Sequence, residues 1–148
     1  MSNTVKIHTV LRTTPERLYR AFIDPHAMCK WLPPHGFTGV MHEMDARVGG
    51  NWRMSFNNFS AGKGGHAFGG RYLELVPGER LRYTSKFDDA NLPGEMTTTV
   101  TFKKVLVGTE MHVVQEGIPD VIPLEACYLG WSESLALLKL LVEAEIPG

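Results

Sequence analysis

The chain has little cysteine, no long apolar run and no excess charge of either sign. Each lack removes a class of protein. Only two cysteines, Cys29 and Cys127, occur among 148 residues, far apart in sequence. That separation matches no metal-ligand spacing. No stretch approaches the roughly 20 apolar residues that span a bilayer, so no membrane segment is expected. The opening Met1-Ser2-Asn3-Thr4-Val5-Lys6 has no basic region followed by an apolar run, so no signal peptide is read there. A cytoplasmic location with two free thiols follows as the expectation, rather than a disulfide in an exported protein. Lys and Arg total 15 against 16 Asp and Glu, a net charge of −1 with no basic cluster. Nucleic-acid binding needs a basic patch and is not expected.

Common catalytic signatures are missing as well. His42-Glu43 begins a zinc-protease pattern, but Ala46 stands where its second histidine belongs. Gly62-Lys63-Gly64-Gly65 fails the phosphate-loop pattern, because Gly64 replaces the required Ser or Thr, and it reads as a mobile hairpin connection. No Gly-x-Ser-x-Gly nucleophile elbow is present. The six histidines are His8, His26, His35, His42, His66 and His112, and no pair has a common local zinc spacing. No metal and no cofactor are expected.

What remains is a clear order of elements. Val5, Ile7, Thr9 and Leu11 alternate as one face of a strand. Thr14-Pro15-Glu16 supplies a capping oxygen, a first-turn proline and an acid for the positive end of the helix dipole. Asp24-Pro25 repeats that start for a second short helix carrying Met28, Trp31 and Leu32, ended by Pro33-Pro34. Strands are expected over Phe37 to Glu43, Asn51 to Phe59, Phe68 to Val76 and Leu81 to Phe87. Two more carry Met96, Thr98, Val100 and Phe102, then Met111, Val113 and Gln115. Gaps such as Pro77-Gly78 make hairpins, hence a mostly antiparallel sheet. From about Asp120 to Glu145, Leu124, Tyr128, Trp131, Leu135, Leu138 and Val142 form one apolar helix face. The whole chain, 1–148, reads as a single α+β domain: a curved sheet gripping one long C-terminal helix.

These landmarks carry a resemblance. Thr14-Pro15-Glu16, Phe22-Ile23-Asp24-Pro25, Trp31, Gly36-Phe37-Thr38, Gly49-Gly50 with Trp52-Arg53, and Tyr72-Leu73-Glu74 belong to it. So do Gly117 with Pro119, and Gly130-Trp131 with Ser134-Leu135. The chain resembles the START-like helix-grip (SRPBCC) superfamily, and within it the single-domain homologues of the activator of heat-shock protein 90 ATPase. The resemblance covers nearly the whole chain and implies a helix-grip fold with a cavity. At Gln115-Glu116-Gly117 the chain departs from members that carry a histidine in place of the glutamine. The superfamily includes lipid carriers, hormone receptors, aromatic-ring cyclases and co-chaperone domains, so the fold alone implies no single activity.

Three functions are weighed. The first is binding of a small hydrophobic or aromatic molecule between the sheet and the C-terminal helix. Its expected wall is Trp52, Met54, Phe56, Tyr83, Phe87, Met96, Thr98, Gln115, Trp131 and Leu135, with Trp31 and Phe37 near the mouth. Methionine adapts to varied apolar shapes, and Trp and Tyr bring polar tips to an apolar wall. The second is a polyketide cyclase- or hydrolase-like acid–base enzyme drawing on His35, Arg53, His66, Asp88, Asp89 and Gln115. The third is a co-chaperone-like module with a chaperone partner. A homodimer is left open.

Overall fold

Two proline-started helices carry the chain from one edge of a sheet to the other. β1 (Asn3–Leu11) leads through α1 (Pro15–Ile23) and α2 (Pro25–Trp31) to β2 (Phe37–Met44). Then come β3 (Asn51–Asn58), β4 (Ala67–Val76), β5 (Arg80–Phe87), β6 (Met96–Val105) and β7 (Gly108–Ile118), followed by α3 (Leu124–Val142). The structure is a computed structural model that describes residues 3–60 and 66–145. The Gly62-Lys63-Gly64-Gly65 segment lies outside the described residues. No helix among the described residues is long and apolar enough to cross a membrane.

The seven strands form one sheet in the order β1-β7-β6-β5-β4-β3-β2. Every neighbouring pair is antiparallel, so the sheet is wholly rather than mostly antiparallel. Register shifts between Met41 and Glu43 and between Tyr72 and Glu74 bend its β2–β5 half. Gly70 marks the sharpest approach: a Cβ there would lie 1.9 Å from the Thr84 carbonyl oxygen. Trp52 is the partner of Gly70 on β3. With no side chain at Gly70 in the way, its indole reaches over β4 and donates to the Thr84 carbonyl on β5 at 3.1 Å.

Local chemistry sets the helix starts. The Thr14 hydroxyl accepts from Arg17 N at 3.2 Å, and Asp24 Oδ1 accepts from His26 N and Ala27 N at 2.9 and 3.0 Å. α3 begins later than its apolar pattern predicts. Proline pushes the preceding residue out of helical geometry. Pro119 to Ile122 accordingly forms a turn, closed by Ile122 N donating to the Pro119 carbonyl at 3.0 Å, and Pro123 sits at the cap.

The core is divided unevenly. Under α1 and the second half of α3 it is filled by Val5, Leu11, Leu18, Phe22, Val100, Phe102, Met111, Val113, Leu138 and Val142, all buried. α3 is fixed there by Arg12 N donating to Glu143 Oε2 at 2.9 Å and by Arg17 Nη2 donating to the Ala144 carbonyl at 2.9 Å. Under the first half of α3, facing β3 to β7, the space is not filled.

Candidate ligand-binding cavity

That space is a cavity of about 570 Å³. β3 supplies Trp52 and Phe56; β4 supplies Phe68; β5 supplies Tyr83, Ser85 and Phe87; β6 supplies Met96; and β7 supplies Gln115 and Ile118. α3 faces them with Ala126, Cys127, Gly130, Trp131 and Ser134. Leu32, Pro34, Phe37, His66, Leu92 and Ile122 complete the rim. The rings of the sheet wall meet edge to face, the arrangement their quadrupoles favour. Trp52 and Phe68 lie 5.6 Å apart at 79°, Trp52 and Tyr83 5.8 Å at 89°, and Phe56 and Phe68 4.8 Å at 81°.

The polar groups gather in one row. Tyr83, Thr98 and Gln115 are successive cross-strand partners on β5, β6 and β7, so they stand side by side on the inner face. Above them, Trp131 Nε1 donates to Gln115 Oε1 at 3.0 Å. Among the described residues, the amide nitrogen of Gln115 makes no hydrogen bond. Burial keeps the Tyr83 phenol protonated well above its ordinary range; the nearby Thr98 hydroxyl opposes this and Tyr72 adds to it. Burial also raises the Cys127 thiol. Ser134 Oγ donates to the Leu32 carbonyl at 2.6 Å, tying the α3 wall to the end of α2.

The structure brings together Phe37, Trp52, Phe56, Tyr83, Phe87, Met96, Gln115 and Trp131 of the residues read from sequence. It places four elsewhere. Trp31 is not at the mouth. It is fully buried, its ring 4.8 Å from Phe22 and its Nε1 donating to the Ala21 carbonyl at 2.9 Å. Met54 is buried against β2: a Cβ added at Gly39 would lie 2.8 Å from its Cε. Leu135 is core, and Thr98 stands in the polar row without lining the open space. Tyr128, assigned to the apolar helix face, is 41% exposed, and its hydroxyl accepts from Lys6 N at 3.2 Å.

Sequence reasoning missed the helix wall. Cys127, Gly130 and Ser134 are spaced like one helix face, but they are small and read as neutral. Their smallness is the signal: a Cβ at Gly130 would meet no atom within 4 Å. Phe68 was also missed, although it is buried on the same β4 face as Tyr72, two steps of alternation away.

The proposed acid–base residues do not converge. Arg53 and Asp88 form an ion pair beside a separate polar hollow of about 450 Å³. Asp89 accepts from Asn91 N in a loop, and His35 lies 3.7 Å from Glu133. Only His66 and Gln115 reach the apolar cavity, His66 from an exposed position beside Phe87. Among the described residues, no carboxylate, lysine or arginine lines it. Nor do both cysteines line it; each is a free thiol.

Residues 12–143 match the family model of the Activator of Hsp90 ATPase homolog 1-like protein. The chain belongs to that family. Domains of this kind typically hold a ligand-binding cavity. A crystal structure of a protein from Chromobacterium violaceum is 59% identical, with a TM-score of 0.94, covering 97% of this chain and 99% of that one. A Rhodobacter sphaeroides protein is 22% identical, with a TM-score of 0.80 over 93% of this chain and 90% of its own. An AHSA1-like protein from Aeromonas hydrophila is 19% identical, with a TM-score of 0.77 over 95% and 92%. The last two share the fold. No curated protein matches the chain.

Proposed function

We propose that this protein binds a small hydrophobic or aromatic molecule, without transforming it, in the cavity between β3–β7 and α3. The observation that carries the reading is the cavity's composition. It is ring-walled and apolar, with one polar row and no charged side chain among its described lining residues. Its 570 Å³ falls in the range of small-molecule sites. The Gln115 amide nitrogen and the Tyr83 phenol, kept protonated by burial, are two donors in one cross-strand row of an otherwise apolar chamber. They suit a flat apolar ligand bearing a carbonyl or phenolic oxygen. The free thiols at Cys29 and Cys127 fit a reducing, cytoplasmic setting.

Magnitude limits the affinity. Burying roughly 300 Å² of apolar ligand surface contributes about 7–8 kcal/mol. Association costs several kcal/mol of that, leaving weak to micromolar binding unless the polar row adds to it. The test is a panel of fatty acids, sterols and aromatic polyketides read by tryptophan fluorescence, since Trp52 and Trp131 both line the cavity. Saturable quenching, weakened by Tyr83→Phe and left intact by the exposed Lys103→Ala, is expected. A panel without a binder, together with no small molecule retained in native mass spectra, would sink the reading.

A further inference from the structure

A second cluster lies on the outer face of the β1–β7 pair, away from the cavity. His8 and His112 are direct cross-strand partners, and both are exposed. Their rings are stacked, with centroids 4.6 Å apart and a tilt of 32°. Glu110 stands two residues before His112, so alternation places its side chain on the same face. Its Oε1 is 2.7 Å from His112 Nε2 and 3.5 Å from His8 Nε2. The ligand atoms of all three residues lie within 4.8 Å of one another. No sequence spacing announces this set, because strand register alone joins position 8 to position 112.

We propose that His8, Glu110 and His112 bind a divalent first-row transition-metal ion, with the remaining coordination positions open to solvent. Tetrahedral zinc with ligands at about 2.0–2.2 Å needs ligand atoms roughly 3.3 Å apart. The distances of 2.7 and 3.5 Å straddle that value, and rotation of exposed side chains closes the rest. The backbone part of the geometry is already set by the paired strands. Both imidazoles turn Nε2 toward one carboxylate oxygen, so a cation placed between them meets three ligands at once. Two imidazoles and one carboxylate suit Zn²⁺, Ni²⁺ or Cu²⁺, whereas Mg²⁺ and Ca²⁺ prefer oxygen alone. Lys103 is the β6 partner of Glu110, and its ammonium opposes a bound cation. Its removal therefore strengthens binding, a sign that unspecific histidine chelation does not share.

The test is calorimetric titration of Zn²⁺ into the tag-free full chain. One ion per chain is expected. His8→Ala and His112→Ala should each weaken binding about tenfold or more, and Glu110→Gln several-fold. Lys103→Gln should tighten it, and His26→Ala should leave it unchanged. Cu²⁺ should bind more tightly than Zn²⁺. All five positions are solvent-facing or half-buried, and circular dichroism checks that each variant folds. Three results would each overturn the site: no saturable Zn²⁺ binding, binding that survives both histidine variants, or binding lost only when Cys29 and Cys127 are alkylated.

Discussion

The indole N–H of Trp131 donates to Gln115 Oε1 at 3.0 Å, joining α3 to β7 directly beside open space. The bond holds the helix wall at a set height above the sheet. Gln115→Leu keeps the volume but orphans the indole N–H, which should cost about 1–3 kcal/mol. Trp131→Ala should cost about 3–5 kcal/mol, because the ring is largely buried. Urea midpoints measure both, and an unchanged midpoint for Gln115→Leu would show that the bond adds nothing to stability.

Gly130 offers a sharper experiment on the cavity. Its site has no neighbour within 4 Å of an added Cβ. Gly130→Ala should raise stability by about 0.8–1 kcal/mol through helix propensity alone. Gly130→Leu should keep that gain while filling the chamber. The expected pair of results is a higher melting temperature and a loss of ligand binding in the same variant. A lower melting temperature would mean that the space is not available to a side chain.

Alkali should unfold the protein through its buried phenols. Burial, then the neighbouring charges of Tyr19 and Asp45, push Tyr72 from its ordinary 10.0 up to about 12. Burial raises Tyr19 and Tyr83 as well. The folded state holds these protons to higher pH than the unfolded chain does. For Tyr72 that stabilisation is complete below about pH 10 and lost as pH rises toward 12, on the order of 3 kcal/mol. Phenolate absorbance from Tyr72 and Tyr83 should emerge together with loss of the folded circular-dichroism signal. Ionisation of both in the folded protein would contradict their burial.

The thiols should react slowly and separately. Burial raises both Cys29 and Cys127, and a hydrogen bond with the Met41 backbone partly offsets this at Cys29. At neutral pH the thiolate fraction is low, so alkylation should be slow and accelerate with rising pH. Cys127 lines the cavity and Cys29 does not. A bound ligand should therefore protect Cys127 alone, as peptide mass mapping would reveal. Equal protection at Cys29 would point to global stabilisation instead.

Local patterns in the sequence were sufficient wherever one residue acts on its near neighbours. Thr14-Pro15 and Asp24-Pro25 start helices with their own side chains, and Met96, Thr98, Val100 and Phe102 reach the inner face by simple alternation. The residues that were misplaced or overlooked depend on what stands opposite. Trp31 looks like a rim residue until its indole is seen turned onto the Ala21 carbonyl. Cys127, Gly130 and Ser134 matter for the volume they leave empty, a quantity that belongs to the facing sheet as much as to them. His8 and His112 meet only through register, which hydrophobic patterning sets for the buried face and leaves silent about the exposed one.

The edge position of β1 bears on how the chain acquires its structure. Among the described residues its only strand neighbour is β7, and Asn3 pairs with Ile118. Within this domain β1 is made first and is therefore held in waiting, its apolar face of Val5 and Leu11 unsheltered, until β7 follows. Pairing across so long a stretch of chain slows folding, because the entropy of closing the loop is spent before any contact repays it. An early pause in synthesis leaves that strand open to the wrong partner, and completion of β7 removes the hazard.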